Sequence, residues 1–296
     1  MKIFDCFMYF DEEIVLDVRL NTLNQFVDYF VIVESKFNHR GEPRDLQFNH
    51  KKFEKFKDKI IYLIYDFQPK EIETVNNEDS NGEKSRKFIL NAAYRENSQR
   101  NLIKEGLMNA EENDIILISD VDEIPNLFNL NFNEISEKII MFKQDMFYYK
   151  FNLRLPNLTW TGTKACQKKN LHSPQWLRNI KDRKYSFLRL DTFFSKKKYR
   201  SIKFINNGGG HFTNIKSAEK IEHKLKSYLH HREFDENPLS IEQIKNIIND
   251  KIAIYDLNVD KTKNKIGTGK KLEIFEFNKL PTYIQKNKDN FKDWID

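Results

Sequence analysis

The residues best suited to chemistry stand where the run Ile115-Ile116-Leu117-Ile118-Ser119 stops at Asp120-Val121-Asp122-Glu123. Two carboxylates one residue apart offer oxygen ligands to a hard cation such as Mg²⁺ or Mn²⁺, which keeps waters and takes substrate phosphates as further ligands. The plain alternative is a solvated turn whose aspartates cap the next helix. A second candidate is Asn206-Asn207-Gly208-Gly209-Gly210-His211-Phe212. Successive glycines indicate unusual backbone angles or a close approach, and an imidazole held there suits Mn²⁺ better than Mg²⁺. A surface turn is its alternative. Arg95-Glu96-Asn97-Ser98-Gln99-Arg100 brings two arginines onto a helix just ahead of the Asp-x-Asp run, where they could hold a diphosphate or a base edge. An exposed helix face is the commoner outcome.

Elements must carry these residues. Apolar runs predict strands over 2–9, 29–34, 60–65 and 114–119. Residues 12–27 show helical periodicity, 76–83 read as a loop, and a long helix is predicted over about 84–108. Strands that are apolar throughout, alternating with helices, argue for an α/β fold with a mainly parallel sheet. Ligands of such sheets bind beyond the carboxyl ends of the strands, which is where the Asp-x-Asp pair falls. After residue 139 the alternation stops. Strands are predicted over 139–151 and 157–166, and helices over 216–231 and 240–252, with Ser240 as an N-cap. No repeat or linker interrupts the chain, so one domain over 1–296 is expected, with an alternating part (1–138) and a mixed C-terminal part (139–296).

Composition narrows the classes. With 296 residues, 39% apolar and 14% aromatic, the chain can bury a large core and is no disordered segment. Cys6 and Cys166 are too few for a disulfide framework and are expected to be free, buried thiols. No stretch reaches the roughly 20 apolar residues of a membrane span, and the start of the chain does not read as a signal peptide. The net charge of +6 hides a split: residues 1–150 carry 20 Lys+Arg and 28 Asp+Glu, and residues 151–296 carry 30 and 16. An acidic and a basic half suggest different partners.

The pieces together resemble glycosyltransferase family 17. Asp5-Cys6-Phe7, Glu12 and Asp17-Val18-Arg19 are followed by Val27-Asp28-Tyr29-Phe30-Val31-Ile32-Val33-Glu34-Ser35 and Gly41-Glu42-Pro43-Arg44. Arg95-Glu96 with Arg100, then Asp120-Val121-Asp122-Glu123-Ile124-Pro125, then Gly208-Gly209-Gly210-His211-Phe212 complete the set. The resemblance implies a GT-A-type (Rossmann-like) fold, with 1–138 as its nucleotide-sugar-binding half and 139–296 as its acceptor-side half. It implies an inverting, metal-dependent transfer of GlcNAc or a related hexose from a UDP-sugar to a glycan hydroxyl, with Mn²⁺ or Mg²⁺. The metal ligands it implies are Asp122, Asp120 and His211, with Asp120 also near the ribose. Glu34, Arg95, Arg100 and, on a Gly-Thr-Gly-Lys loop, Lys270 become candidates for holding the nucleotide. For the base that deprotonates the acceptor, Glu233 and Asp191 rank equally and Asp145 third. Two departures stand out. The family usually has Trp before the His, where this chain has Gly210, with an altered sugar or acceptor pocket expected. An acidic residue is replaced by Ile14.

The absence of a predicted span, with the Lys-, Asn- and Ile-rich composition, suggests a cytoplasmic enzyme of a microbe or virus. The basic half suggests an anionic acceptor or peripheral contact with anionic membrane. Two rivals remain. A haloacid-dehalogenase-like phosphatase also carries a strand followed by Asp-x-Asp. A nucleic-acid binder would use Lys196-Lys197-Lys198-Tyr199-Arg200 against phosphates, although no nucleic acid is expected if the transferase reading holds.

Overall fold

The structure is a computed structural model and describes residues 1–186, 188–192, 194–228, 231–255 and 266–296. The first half is built as the apolar runs predict. Strands β1 (Ile3–Tyr9), β2 (Tyr29–Ser35), β3 (Ile60–Tyr65) and β4 (Ile115–Asp120) run parallel in the order β3-β2-β1-β4. Helix α1 (Glu13–Leu23) links β1 to β2, and α2 (Asn81–Asn101) leads toward β4. The order reverses between β1 and β4, so their carboxyl ends flank a crevice.

Two local facts moved the helix boundaries. Ser80 accepts from the Glu83 amide while the Glu83 carboxylate accepts from the Ser80 amide. This reciprocal cap starts α2 at Asn81, inside the polar stretch read as a loop. The helix then stops at Asn101, and after a turn at Leu102 a separate short helix α3 (Ile103–Gly106) follows. The single helix expected over 84–108 is therefore two.

Beyond β5 (Glu123–Pro125) the sheet becomes mixed. Strands β6 (Ile139–Tyr148) and β7 (Leu153–Gln167) form a long antiparallel pair, and β7 also lies antiparallel to β4. The short α4 (Pro174–Asn179) follows. Strands β8 (Ile202–Ile205) and β9 (Gly209–Thr213) both run parallel to β6, and β9 pairs antiparallel with β5. Helices α5 (Ala218–Ser227), α6 (His231–Glu236) and α7 (Ile241–Asn249) come next, then β10 (Glu273–Ile274) and α8 (Thr282–Lys286). Ser240 caps α7 as expected. The predicted helix over 216–231 is divided between α5 and α6.

Side chains alternate across the strands and build a core on each face. Phe7, Ile32, Leu117 and Phe142 pack with Leu16 and Leu20 of α1 and Ile284 of α8. Cys6, Val31, Ile116 and Met141 pack on the other face with Ile103 of α3 and Leu177 of α4. Both cysteines are free and buried. A third cluster, including Tyr148, Leu225, Phe234 and Ile244, seats α5, α6 and α7 beyond the end of β6. Among the described residues no helix is long and apolar enough to cross a membrane.

Candidate active site

The backbone of the Asp-x-Asp turn is fixed by one buried cation. Arg19 of α1 donates to both carboxylate oxygens of Asp5 on β1, at 2.6 and 2.8 Å, and both side chains are fully buried. Its remaining donors reach the carbonyls of Asp120 (3.1 Å), Val121 (3.1 Å) and Glu123 (2.9 Å) and the Ser119 hydroxyl. An unpaired buried charge costs several kcal/mol, so this arginine holds the turn in one geometry. The Asp5-Cys6-Phe7 and Asp17-Val18-Arg19 pieces thus act on the Asp-x-Asp segment from below.

The two aspartates meet different surroundings. Both oxygens of Asp120 are engaged by guanidinium groups, Arg100 at 3.0 Å and Arg178 of α4 at 2.8 Å. Burial would raise the pKa of Asp120, but Arg178 and Arg100 overcome it and hold the carboxyl far below its ordinary range. Arg178 also bonds both oxygens of the buried Glu123, at 2.6 and 2.7 Å. Trp160 Nε1 donates to the same carboxylate at 2.7 Å. Asp122 faces His211 of β9, with Nε2 to Oδ1 at 3.4 Å, and Lys224 of α5 at 3.9 Å. Burial opposes the charged imidazole, yet Asp122 outweighs it and raises the His211 pKa above its ordinary value. His211 stands beside Asp122 because β5 and β9 pair with Glu123 opposite His211.

Asp120, Asp122, His211 and Lys224 border a cleft of about 460 Å³ at the carboxyl ends of β1, β2 and β4. Tyr9, Phe10 and Glu12 enter from β1 and its following loop, and Ser35, Phe37 and Asn38 from beyond β2. Trp160, Tyr148, Tyr228 and Tyr255 add an aromatic wall, and Glu233 of α6 lines the same space. The loop after β1 is tied to the far half by Lys216, which bonds Asp11 and Glu12 (2.9 Å to the latter). Burial would raise the Glu12 pKa, but Lys216 and Lys224 bring it down to about 2.

Among the described residues no group of three or more His, Cys, Asp or Glu side chains converges as a closed metal site. Asp122 with His211 is a pair of donors. Lying 3.4 Å apart, they would hold a hard cation that also takes substrate oxygens and water. Nε2 is the ring nitrogen that faces Asp122, and the buried Nδ1 has no hydrogen-bond partner. Asp122 and His211 therefore fit an open cation site, and Asp120, which borders the same cleft, is braced by two guanidinium groups.

The sequence model of glycosyltransferase family 17 matches residues 1–295, practically the whole chain. The chain belongs to glycosyltransferase family 17. Over 115 residues it is 31% identical to the beta-1,4-mannosyl-glycoprotein 4-beta-N-acetylglucosaminyltransferase of Homo sapiens, and 31% and 30% identical to the proteins of that name from Rattus norvegicus and Mus musculus. The aligned stretch covers 38% of this chain and 19% of each relative, so the chain matches less than a fifth of their length.

The family 17 chain brings Asp120, Asp122, His211 and Glu233 to one cleft, and leaves other expected residues out of it. Glu34 is fully buried, and its carboxylate accepts from the amides of Gln47 (2.6 Å) and Phe48 (3.0 Å), from Tyr62 (2.8 Å) and from Arg44 (3.1 Å). With every acceptor site used, it shapes the loop after β2 and has no lone pair left for a nucleotide. Arg95 bonds Gln68 and the His39 carbonyl and packs against Gly41, so it buttresses His39 on the cleft wall. Arg100 bonds Glu96 and Gln175 besides Asp120 and acts through that aspartate. Lys270 is exposed and outside the cleft. Asp191 is paired on the surface with Arg189 (2.7 Å) and Lys198 (2.6 Å). Asp145 lies in a second cavity, facing Arg154 at 3.5 Å.

Gly210 also resolves differently from the expectation. A Cβ there would lie 2.5 Å from the Phe212 ring, among residues of the second cavity. The missing aromatic therefore faces away from the Asp-x-Asp cleft. An aromatic beside the histidine is supplied instead by Trp160, whose ring centroid is 5.3 Å from that of His211. Sequence reading missed Trp160, Arg178, Lys216 and Lys224. Only Glu12, as one of the resembling pieces, pointed toward the Lys216 tie.

Proposed function

We propose that this family 17 glycosyltransferase moves GlcNAc or a related hexose from a UDP-sugar to a glycan hydroxyl, with inversion, on a GT-A-type fold. The observation that carries the reading is the Asp122–His211 pair at the strand-end crevice, with Glu233 lining the same cleft. The named activity of the mammalian relatives supports GlcNAc as the sugar.

Asp122 and His211 would hold Mn²⁺ or Mg²⁺, which when bound would offset the charge gathering on the UDP leaving group. Lys224, beside Asp122, places a fixed positive charge at the same end of the cleft. Asp120, locked by two guanidinium groups, sets the shape of the pocket floor on the donor side. Trp160, Tyr148 and Tyr255 exclude water from the reacting centre and give an apolar face to the sugar ring. Glu233 takes the proton of the acceptor hydroxyl as its oxygen attacks the anomeric carbon. Of the three carboxylates considered for this role, only Glu233 borders the cleft.

The test is a UDP-sugar panel with Mn²⁺ and with EDTA, read by UDP release and by thermal shift. Metal-dependent stabilisation by UDP and turnover of UDP-GlcNAc with a glycan acceptor are expected. If neither UDP nor any UDP-sugar shifts the melting temperature with metal present, the reading is wrong.

A further inference from the structure

Half of the positive excess of the second half is gathered in one short segment. Residues 181–203, between α4 and β8, hold nine Lys and Arg against two Asp. Their net of +7 is half of the +14 carried by residues 151–296, in 23 of that half's 146 residues. Asp191 engages Arg189 and Lys198, and Asp182 engages Lys143. Lys181, Arg183, Lys184, Lys196, Lys197 and Lys203 are exposed, and none forms an ion pair among the described residues.

The same segment carries three of the ten large apolar side chains exposed among the described residues. Leu188 is 73% exposed, Leu190 71% and Phe194 91%. Leaving three large apolar side chains in water within seven residues is costly, and such clusters mark contact sites. The segment is nonetheless anchored. Trp176 Nε1 donates to the Lys196 carbonyl at 2.9 Å, Trp176 packs edge-on against Tyr199, and the Lys181 amide bonds the Lys197 carbonyl at 2.9 Å. These contacts fasten it to α4, the helix whose Arg178 clamps Asp120 and Glu123.

We propose that residues 181–203 dock the protein on an anionic lipid bilayer, with Leu188, Leu190 and Phe194 entering the interface and the surrounding lysines meeting the headgroups. Cations flanking apolar side chains are what such an interface selects, because the stems of Lys and Arg stay in the apolar layer while their charges reach the headgroups. A nucleic acid would use the cations but has less use for the leucines, which offer no ring face for base stacking. Docking through this segment would hold the cleft beside α4 at a fixed height near the membrane.

The experiment uses the full chain and is independent of sugar transfer. Sedimentation with phosphatidylserine-containing vesicles is compared with phosphatidylcholine vesicles, and duplex DNA serves as a competitor. Binding to the anionic vesicles alone is expected. Lys196→Gln with Lys197→Gln should weaken it roughly thirtyfold, at about fivefold per cation. Phe194→Ser should weaken it about tenfold. Unchanged melting temperatures show that the variants remain folded. Failure to bind anionic vesicles at low salt overturns the proposal. So does vesicle binding that ignores Phe194→Ser and is fully displaced by duplex DNA, which would make the segment a polyanion surface.

Discussion

The two sides of the cleft handle buried charge in opposite ways. On one side Arg100 and Arg178 consume Asp120 and Glu123 through short, multiple hydrogen bonds. On the other, Asp122 faces a histidine at 3.4 Å and a lysine at 3.9 Å, neither close enough to saturate it. Planar guanidinium groups fix a carboxylate in one orientation. An imidazole and a flexible ammonium leave it able to change partner. Two aspartates one residue apart thus meet different surroundings: Asp120 is braced by two guanidinium groups, and Asp122 faces an imidazole and an ammonium at longer range.

The contrast breaks most severely at Arg178. Arg178→Met leaves Glu123 buried without its main partner and releases one oxygen of Asp120. Breaking such a pair costs about 3–5 kcal/mol. Urea denaturation should show that loss, whereas Asp122→Asn should leave stability nearly unchanged. An Arg178 variant as stable as the parent would mean that the two sides do not differ in the way described.

Asp122→Asn tests the other side. Its expected effect is on turnover, a fall of roughly 10²–10³ in kcat, the scale of losing one group that stabilises developing charge. Titration with Mn²⁺ in the presence of UDP should weaken in parallel. Glu233→Gln should lower kcat by about 10² while leaving UDP affinity unchanged, which separates proton removal from donor binding. Equal losses of affinity in both variants would dissolve that separation.

The tie at Lys216 yields the pH dependence. The folded-state pKa of Glu12 lies at about 2, below its unfolded value, and that of Lys216 is raised. The stability from Glu12 is thus fully present above the ordinary carboxylate pKa and is lost as pH falls toward about 2. That from Lys216 is present below the ordinary lysine pKa and lost only as pH rises beyond it. Lys216→Met should cost about 2 kcal/mol at neutral pH, less than a fully orphaned ion, because Glu12 keeps the amides of Phe10 and Asp11. The difference between parent and variant should shrink steadily as the pH is lowered. A constant difference down to pH 2 would place the cost in packing.

What could be read from the residues follows from how local each determinant is. The strands β1, β2 and β4 are buried on both faces, and that burial writes itself into continuous apolar runs. Asp122 and His211 were legible through residue type and position, a strand end and a glycine turn. Lys216 and Arg178 were not, because their meaning lies in partners far along the chain: Lys216 meets Glu12 across 204 residues and Arg178 meets Asp120 across 58. Among 50 Lys and Arg, nothing in type or spacing marks those two as the ones that clamp carboxylates beside the cleft. The start of α2 was hidden for the converse reason, since a polar stretch served as the cap.

Asp191 gives the smallest expected effect and the sharpest control on the site. It ranks equally with Glu233 in the sequence because it falls between the Asp-x-Asp run and His211, whereas Glu233 lies in a His-x-Glu-like segment after the Gly-His turn, and the resemblance allows a base at either place. Its carboxylate is held by Arg189 and Lys198 on the surface, and those two cations lower its pKa. Exposed pairs of this kind contribute little to stability. Asp191→Asn should therefore leave kcat and UDP affinity unchanged, in the same assay where Glu233→Gln loses turnover. The variant also adds one net positive charge to residues 181–203, so it should bind anionic vesicles slightly more tightly. A loss of turnover in Asp191→Asn without a loss of stability would put a catalytic group outside the cleft, and the assignment of Glu233 would fall with it.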